Sequence, residues 1–495
     1  MKKIFALVLV LAMLIPFAVA CDGGDETTTT EGTVENENFT SKDTVKKDWE
    51  GETLLVAATA WAGSPAHPWS TMELVIKEGE TSGWGEKIDK AVLERTAYIK
   101  ATYGVDVVWE WASRYNTHDV LANAILAGND PDYDLAMPRA MRAQAIVANG
   151  SVYDMANREY IDFNNSYYNK NSIETYTAKG HTFFITGDFS NLDKETAYVL
   201  CVNKALLGGE EEMGKLYQLV KDGKWTWDKL VAYASSVYKD NGNKYWDDTD
   251  ICGLCTLTYF LENGYYRFYE YFGVKQAGID ETTGDWKITL NDPKVNGIID
   301  AIIEANTSDW SASAWEVCWV CNGPNAFVED RMLFFNIVIK DIKDINLISD
   351  TFAFDDFGVV PFPMLNEEQG RYYVPCATRY PTLMCVPKTT SDRNMSDYFV
   401  DVLAWTGSEY VMKAYYDNMS ETLGDQEMEI MQNYIIPNIS YDAGAAIGWN
   451  TLIGDVISAS YKGNVNNFAQ AYADAEADAL QMIKDWNAAW GSYTE

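Results

Sequence analysis

Basic residues are scarce in this chain. Its 495 residues include 38 Lys and Arg against 73 Asp and Glu, so the formal net charge is 38 − 73 = −35. A protein that binds nucleic acid needs Lys and Arg to neutralise phosphates, and this deficit excludes that class. The negative charge favours solubility and disfavours anionic ligands.

Catalytic signatures are also missing. There are three histidines, and neither an HExxH zinc motif nor a GxSxG nucleophile elbow occurs. Residues 209–215 imitate a phosphate-binding loop, but Leu216 stands where Ser or Thr must bind magnesium. We therefore predict no cofactor and no catalytic residue. A secreted glycoside hydrolase stays open as an alternative, because an acidic chain always offers some pair of carboxylates.

Long apolar runs are confined to the N-terminus. Lys2 and Lys3 precede the apolar residues 4–17, and small residues lead to Cys21. This pattern predicts a signal peptide over residues 1–20. The small residues before Cys21 resemble a bacterial lipobox, which implies a lipid anchor on that cysteine, although Ala18 replaces the usual leucine. Residues 21–48 are acidic and Thr-rich, so we predict a disordered tether there.

Seven further cysteines allow three interpretations. Two CxxC pairs, 252/255 and 318/321, have the spacing of a zinc site, and disulfides are a second possibility. Apolar neighbours such as Trp315 and Trp319 favour the third, which is buried thiols. We predict no metal. The cysteines are Cys201, Cys252, Cys255, Cys318, Cys321, Cys376 and Cys385.

Strand-like and helix-like segments alternate along the first part of the chain, which is typical of an α/β fold. Strands are predicted at 54–59, 105–111 and 133–137, with helices at 88–99 and 118–127 between them. This order predicts a parallel sheet, whose ligands lie at the carboxyl ends of its strands.

A second unit follows the apolar run at 198–202. Helices are predicted at 213–220 and 230–238, the latter with Thr226 as N-cap. Further strands are predicted at 332–339, 358–361 and 382–386, and a long amphipathic helix from residue 467 closes the chain. Acidic residues at 240–250 suggest either a calcium loop or a solvated loop, and the spacing favours the second.

Several segments together resemble the extracellular solute-binding proteins of bacterial ABC importers, in the carbohydrate-binding family with maltose-binding-protein-like architecture. The similarity runs from Thr53 to the C-terminus, and its specificity lies in the order of the pieces. They are AGNDPDYD (127–134), YVLCVNK (198–204), KWTWD (224–228), AF (326–327) with MLF (332–334), FGVVPFP (357–363) and VPK (386–388).

The resemblance implies a two-lobe α/β fold with discontinuous lobes joined by a hinge. Lobe one would comprise residues 49–200 and 365–410, and lobe two residues 201–364 and 411–495. It implies a non-enzymatic receptor, anchored on the outer face of the cell membrane or in the periplasm. Its partners would be a carbohydrate ligand and the permease subunits of an ABC transporter. A binding protein for peptides or other polar solutes is the alternative within this class.

A sugar pocket needs flat aromatic surfaces for the C–H faces and paired donors and acceptors for the hydroxyls. Positions at predicted strand ends supply both types, whereas Trp225 and Trp227 are interpreted as structural residues at a helix entry. The predicted ligand-binding residues are Trp61, Arg114, Tyr115, Arg139, Asp188, Trp315, Trp319, Arg379, Tyr380 and Trp449.

Overall fold

The computed structural model describes most of the chain after residue 38. The described residues are 39–60, 85–113, 133–140, 143–148, 150–243, 247–256, 268–313, 323–345, 348–349, 351–376, 382–446, 456, 459–460 and 462–493. Asn36–Glu495 forms one compact unit. Within these ranges, no helix is long and apolar enough to cross a membrane.

The strands range from two residues to eight. They are β1 Thr53–Ala60, β2 Asp106–Ser113, β3 Leu135–Ala136, β4 Val152–Tyr153, β5 Thr177–Ala178, β6 His181–Thr182, β7 Tyr198–Asn203, β8 Cys252–Thr256, β9 Ala277–Ile279, β10 Trp286–Ile288, β11 Ser311–Ser313, β12 Met332–Val338, β13 Phe357–Val360, β14 Val374–Pro375, β15 Val386–Pro387 and β16 Ile439–Ser440.

The helices lie between these strands and close the chain. They are α1 Glu86–Tyr103, α2 Ala143–Ala148, α3 Lys170–Tyr176, α4 Leu192–Glu195, α5 Lys204–Leu207, α6 Glu210–Lys221, α7 Trp227–Val237, α8 Phe268–Tyr271, α9 Lys294–Thr307, α10 Gly323–Val328, α11 Ile342–Ile345, α12 Arg393–Thr406, α13 Lys413–Ser420, α14 Asp425–Ile430, α15 Ala443–Ala446 and α16 Phe468–Gly491. Gly407–Met412 and Met431–Ile435 are π-helical.

The first sheet is built around β1, which pairs in parallel with β2 and β3. A later segment, residues 382–387, extends it on the β3 side. Cys385 forms an antiparallel bridge with Ala136 of β3, and Met384 forms one with Ile185. The resulting order is β2, β1, β3, residues 382–387 and the segment around Ile185.

The second sheet repeats this pattern. Its order is β11-β8-β12-β7-β13. The strands β11, β8 and β12 are parallel, whereas β7 is antiparallel to both β12 and β13. Each sheet therefore begins with three parallel strands. Numbered by their order along the chain, they lie side by side as second, first and third. One antiparallel strand and one further segment follow them in the sheet.

The antiparallel strand of each sheet comes from beyond a chain crossing. β7 belongs to the second sheet but follows Ile185 of the first sheet in sequence. Residues 382–387 belong to the first sheet but follow β13 of the second. The chain thus crosses between the sheets twice. All strands of the second sheet lie between the two crossings, whereas the first sheet is built from residues before the first crossing and after the second.

The predicted apolar segments form the strands and helices expected of them. The predicted strands at 54–59, 198–202 and 332–339 are β1, β7 and β12, and the predicted terminal helix is α16. Thr226 is the N-cap residue of α7, but its hydroxyl bonds to the Asp228 carboxylate. The predicted helix at 118–127 lies outside the described residues.

Trp225 and Trp227 are structural, as predicted. Trp225 is fully buried and its indole N–H donates to the carbonyl of Pro361 at 3.0 Å. The indole of Trp227 donates to a carboxylate oxygen of Glu304 at 2.8 Å. Both side chains fix the entry of α7 against the second sheet.

The cysteines that the structure describes are buried. Cys201 and Cys385 lie in the core as thiols, and burial raises the pKa of each well above its usual range. Cys252 and Cys255 are buried in β8, and Cys376 is buried as well. Cys318 and Cys321 lie outside the described residues, so their state as buried thiols stays a prediction.

The acidic loop at 240–250 is bonded mainly to itself. The side chain and backbone N–H of Thr249 hold the pKa of Asp247 at about 2, and the amide of Asn241 also donates to that carboxylate. Asp250 accepts from the backbone N–H groups of Asn241 and Asp247.

The N-terminal segment 39–48 lies against the body, although it falls within the predicted tether. Ser41 is fully buried, and its backbone N–H and hydroxyl donate to the same oxygen of Asp401 at 2.8 and 2.7 Å. The hydroxyls of Tyr167 and Tyr168 donate to the other oxygen at 2.7 and 3.0 Å. Because a buried carboxylate is costly without donors, the four bonds together stabilise Asp401, and the two from Ser41 fasten the segment to α12.

Aromatic side chains reinforce this attachment. Phe39 and Trp49 pack on Tyr160 and Tyr398, with ring centroids 5.3–6.5 Å apart. The indole of Trp49 also donates to Asp392, the N-cap residue of α12, at 2.7 Å. The polar composition that predicted disorder is thus outweighed by two aromatic residues and one buried carboxylate.

The π-helical turn at Gly407 allows a close approach between two segments. A β-carbon on Gly407 would lie 1.9 Å from the carbonyl oxygen of Asp188, a separation that real atoms do not reach. The absence of a side chain therefore lets the end of α12 pack on the backbone of the first crossing segment.

We predict opposite effects for two Gly to Ala substitutions. Gly407→Ala should lower the free energy of unfolding by about 2–3 kcal/mol, because the backbone must shift to admit the methyl group. Gly214→Ala should raise it by about 0.5–1 kcal/mol, since Gly214 lies within α6 and no described atom is within 4 Å of the added carbon. Urea denaturation measures both, and equal effects would contradict the close approach.

Candidate functional site

The carboxyl ends of the parallel strands are the edges where a ligand of such sheets is expected. In the first sheet β1 ends at Ala60 and β2 at Ser113, and in the second sheet β8 ends at Thr256 and β11 at Ser313. Several predicted ligand-binding residues adjoin these ends in sequence.

Eight of the predicted residues lie outside the described ranges. Trp61 directly follows β1, Arg114 directly follows β2, and Trp315 is two residues beyond β11. Their role as ligand contacts stays a prediction. The eight residues are Trp61, Arg114, Tyr115, Trp315, Trp319, Arg379, Tyr380 and Trp449.

Arg139 lies at the predicted edge of the first sheet. It comes three residues after the end of β3, and its backbone forms an antiparallel bridge with Thr382. The side chain is 8 % exposed. The structure therefore brings Arg139 next to the start of residues 382–387, the strand that the first sheet takes from beyond the second crossing.

The two crossing segments lie side by side. Ala197, at the end of the first crossing, forms an antiparallel bridge with Cys376 of the second. The backbone N–H of Ile339, which follows β12, donates to the carbonyl of Ala197 at 3.0 Å. This junction, at which the two crossings pair between the sheets, is here called the hinge.

Asp188 lies in the first crossing, and its carboxylate forms an ion pair within the protein. Its carboxylate is 3.1 Å from the ammonium of Lys194, which is also 3.5 Å from Asp193. Burial raises the pKa of Asp188, and Lys194 opposes that rise. Burial lowers the pKa of Lys194, yet the two carboxylates together raise it above its usual range. Lys194 therefore stays charged and pairs both acids.

A hydrogen-bond network extends from this pair. The hydroxyl of Tyr441 donates to Asp193 at 2.7 Å and accepts from the hydroxyl of Thr186 at 2.9 Å and the amide of Asn169 at 3.1 Å. Since Tyr441 comes from the last part of the chain, the network joins the first crossing to a distant segment.

The second sheet has its own buried polar residue near the edge. Asn336 of β12 accepts a hydrogen bond from the hydroxyl of Tyr271 at 2.9 Å and donates to the carbonyl of Val199 at 3.0 Å. Asn336 is paired in register with Thr256, the last residue of β8. It therefore ties the carboxyl end of β12 to β7, the strand that enters from the hinge.

Sequence reasoning missed the hinge residues Asp193, Lys194 and Tyr441, and it missed Asn336. A single polar residue in the apolar run MLFFNIV was a usable signal for Asn336, because a buried strand rarely carries an amide without a partner. Lys194 and Tyr441 carried no local signal, since their partners are remote in sequence. Among the residues that the structure describes, no group of three or more His, Cys, Asp or Glu is placed to hold a metal ion.

Comparisons with known proteins give structural matches but no sequence match. No family model matches the chain, and no curated protein matches it. The chain is similar in structure to the sugar-binding protein MalE from Xanthomonas citri, with a TM-score of 0.56 and 9 % identity over 89 % of this chain and 100 % of that one.

The chain is also similar in structure to two further solved proteins. One is an ABC transporter solute-binding protein from Thermotoga lettingae bound with α-D-tagatose, with a TM-score of 0.51 and 13 % identity over 88 % of this chain and 100 % of that one. The other is a family 1 extracellular solute-binding protein from Bifidobacterium longum subsp. infantis, with a TM-score of 0.51 and 13 % identity over 89 % and 99 %.

This likeness defines the fold. The chain has the two-lobed α/β fold of solute-binding proteins, as the two similarly built sheets and adjacent crossings already indicate. The resemblance predicted from the sequence is confirmed at that level. These structural neighbours are binding proteins, and none of the three is described as an enzyme.

We predict that Lys194 stabilises the hinge. Lys194→Met would leave Asp188 and Asp193 as neighbouring buried acids, so the free energy of unfolding should fall by about 3–5 kcal/mol. Lys413→Met is the control, because Lys413 pairs with Glu409 at 2.6 Å on the exposed surface and should contribute about 0.5 kcal/mol. Urea denaturation at pH 7 measures both, and similar losses would refute the role of Lys194.

Proposed function

We propose that this protein is a substrate-binding receptor of an ABC importer. It captures a sugar or oligosaccharide between its two lobes and delivers it to the transporter's membrane permease, without chemical conversion. The observation that carries the proposal is the pair of similarly built sheets joined by two adjacent crossings, at which Ala197 bridges Cys376. Two adjacent crossings permit the lobes to close on a ligand as rigid bodies.

The composition supports a carbohydrate as the ligand. Aromatic residues and few bases suit the apolar faces and neutral hydroxyls of a sugar better than an anionic ligand. The Thermotoga lettingae protein that shares this fold is bound with α-D-tagatose. The ten predicted ligand-binding residues, Arg139 and Asp188 among them, are proposed as contacts.

The lobe assignment is part of the proposal. The predicted bounds are residues 49–200 and 365–410 for lobe one and residues 201–364 and 411–495 for lobe two. We place the first boundary at Tyr198 instead, because β7 lies wholly in the second sheet. Packing supports the first assignment, because Leu54 of β1 and Leu403 of α12 share one hydrophobic cluster. Lipidation at Cys21 after removal of residues 1–20 would hold the receptor on the outer face of the cell membrane.

A ligand screen tests this function. Residues 22–495 would be heated with monosaccharides including D-tagatose, oligosaccharides, amino acids and short peptides. A true ligand at about 100 times its Kd adds about 2.7 kcal/mol of stability, so one saccharide class should raise the Tm by several degrees. Chromatography should recover that saccharide unchanged.

Other results of the screen would overturn parts of the proposal. Stabilisation by peptides alone would refute the sugar ligand. Conversion of the saccharide, abolished by replacing one carboxylate, would identify a glycoside hydrolase instead. No stabilisation by any compound would contradict solute capture.

Trp61 tests the predicted contacts. We expect Trp61→Ala to weaken binding of the saccharide found in the screen by about tenfold or more, because an aromatic surface against a sugar face contributes about 1.5 kcal/mol. Tyr434→Ala is the control, since Tyr434 is half-buried on the π-helical turn Met431–Ile435, which holds none of the predicted ligand-binding residues. Titration calorimetry measures both, and an unchanged Kd for Trp61→Ala would remove this residue from the site.

A further inference from the structure

A small cavity, here called the seam cavity, lies beside the hinge. Ile88 of α1 forms one wall, and α1 lies between β1 and β2 in the chain. Ile339 and Ile342, which follow β12 of the second sheet, also line the cavity. Met419 and Leu423, on and just after α13, complete the apolar lining. The cavity therefore has walls from elements associated with each sheet.

An acidic side chain lines this apolar cavity. Glu195, the last residue of α4, belongs to the first crossing segment and is 3 % exposed. Its oxygen Oε2 has no hydrogen-bond partner of good geometry among the described residues, and neither has the hydroxyl of Tyr415 across the cavity. The hydroxyl of Tyr415 is near enough to the carboxyl of Glu195 to lower the pKa of that carboxyl.

The charged groups facing Glu195 come from the segment after β12. Lys340 and Lys343 line the cavity, and Asp341 lies beside them, 3.1 Å from the ammonium of Lys340. Burial raises the pKa of Glu195 to about 7, while Tyr415 and the two lysines act to lower it and Asp341 acts to raise it. The lysines therefore offset only part of the effect of burial.

We propose that Glu195 is a proton-sensitive element of the seam between the lobes. Its carboxyl is held as the neutral acid while the seam cavity is closed, and its ionisation favours separation of the cavity walls. The movement meant here is the lobe movement of the proposed function, on which this inference rests.

The physical reason is the environment that each protonation state requires. A neutral carboxyl tolerates apolar surroundings, whereas a carboxylate needs water or a cation within hydrogen-bond distance. Water reaches Glu195 if Ile339 and Ile342 move away from Ile88. Ile88 lies on α1, which connects β1 and β2 of the first sheet, whereas Ile339 and Ile342 follow β12 of the second sheet. Moving them apart therefore changes the position of one sheet relative to the other.

The sign of the pH dependence follows from the raised pKa. The ordinary pKa of a glutamate is 4.5 and that of Glu195 in the closed seam is about 7, so the closed state binds the proton more tightly. Closure is therefore favoured at low pH and is progressively lost as the pH rises from about 4.5 to about 7. Between pH 6 and pH 8.5 the equilibrium constant for opening should rise about tenfold.

Hydrogen exchange on the ligand-free protein, residues 22–495, tests this proposal. Exchange of the peptides covering Ile339–Ile342 and Met419–Leu423 would be measured at pH 6 and pH 8.5 and corrected for the intrinsic pH dependence of exchange. We expect protection of these peptides to fall about tenfold at pH 8.5. Glu195→Gln, which stays neutral, should keep the same protection at both values.

Control variants distinguish a pH-sensitive role of Glu195 from a purely structural role and from the proposed transport function. Glu476→Gln, at an exposed position of α16, should behave as the unmodified protein does. Equal pH responses in Glu195→Gln and the unmodified protein would overturn the proposal, as would a pH-independent seam. A pH effect on global urea stability without any change in seam protection would also overturn it. Failure of the saccharide screen leaves these measurements unaffected, so the two proposals fail separately.

Discussion

The antiparallel strand at residues 382–387 is the constraint on which this architecture depends. It enters the first sheet between β3 and the segment around Ile185 after the chain has returned from the second sheet. Without it, both neighbours would expose backbone groups, which is costly in a buried sheet. All strands of the second sheet lie between the two crossings, whereas the first sheet is incomplete until the chain has made both crossings.

The same crossings concentrate buried polar groups. Asp188, Asp193 and Lys194 are charged and largely removed from water, and Tyr441 binds them from the far end of the chain. An apolar replacement of comparable shape could be as stable, so their net contribution to stability is small. Their effect is specificity, because each polar group accepts only a partner with suitable geometry and so fixes how the crossing segments pack.

Local patterns sufficed for much of the fold and for little of the site. β1, β7 and β12 are apolar runs bounded by polar residues, so burial alone specifies them. The completion of the first sheet depends on pairings between residues about 200 positions apart, such as Ile185 with Met384, and no local pattern encodes these. Asp188 stays a predicted ligand contact, and its ion pair with Lys194 was not revealed by the sequence.

The attachment of Ser41 to Asp401 bears on how this protein should be produced. A recombinant form that starts at residue 49, where the tether was predicted to end, would lack two of the four donors to that buried carboxylate. It would also lose Phe39 from the aromatic cluster on Tyr160. Such a shortened protein would carry a packing defect where this segment lies, and its lower yield would be mistaken for an intrinsic property of the protein. Cloning boundaries belong before residue 39.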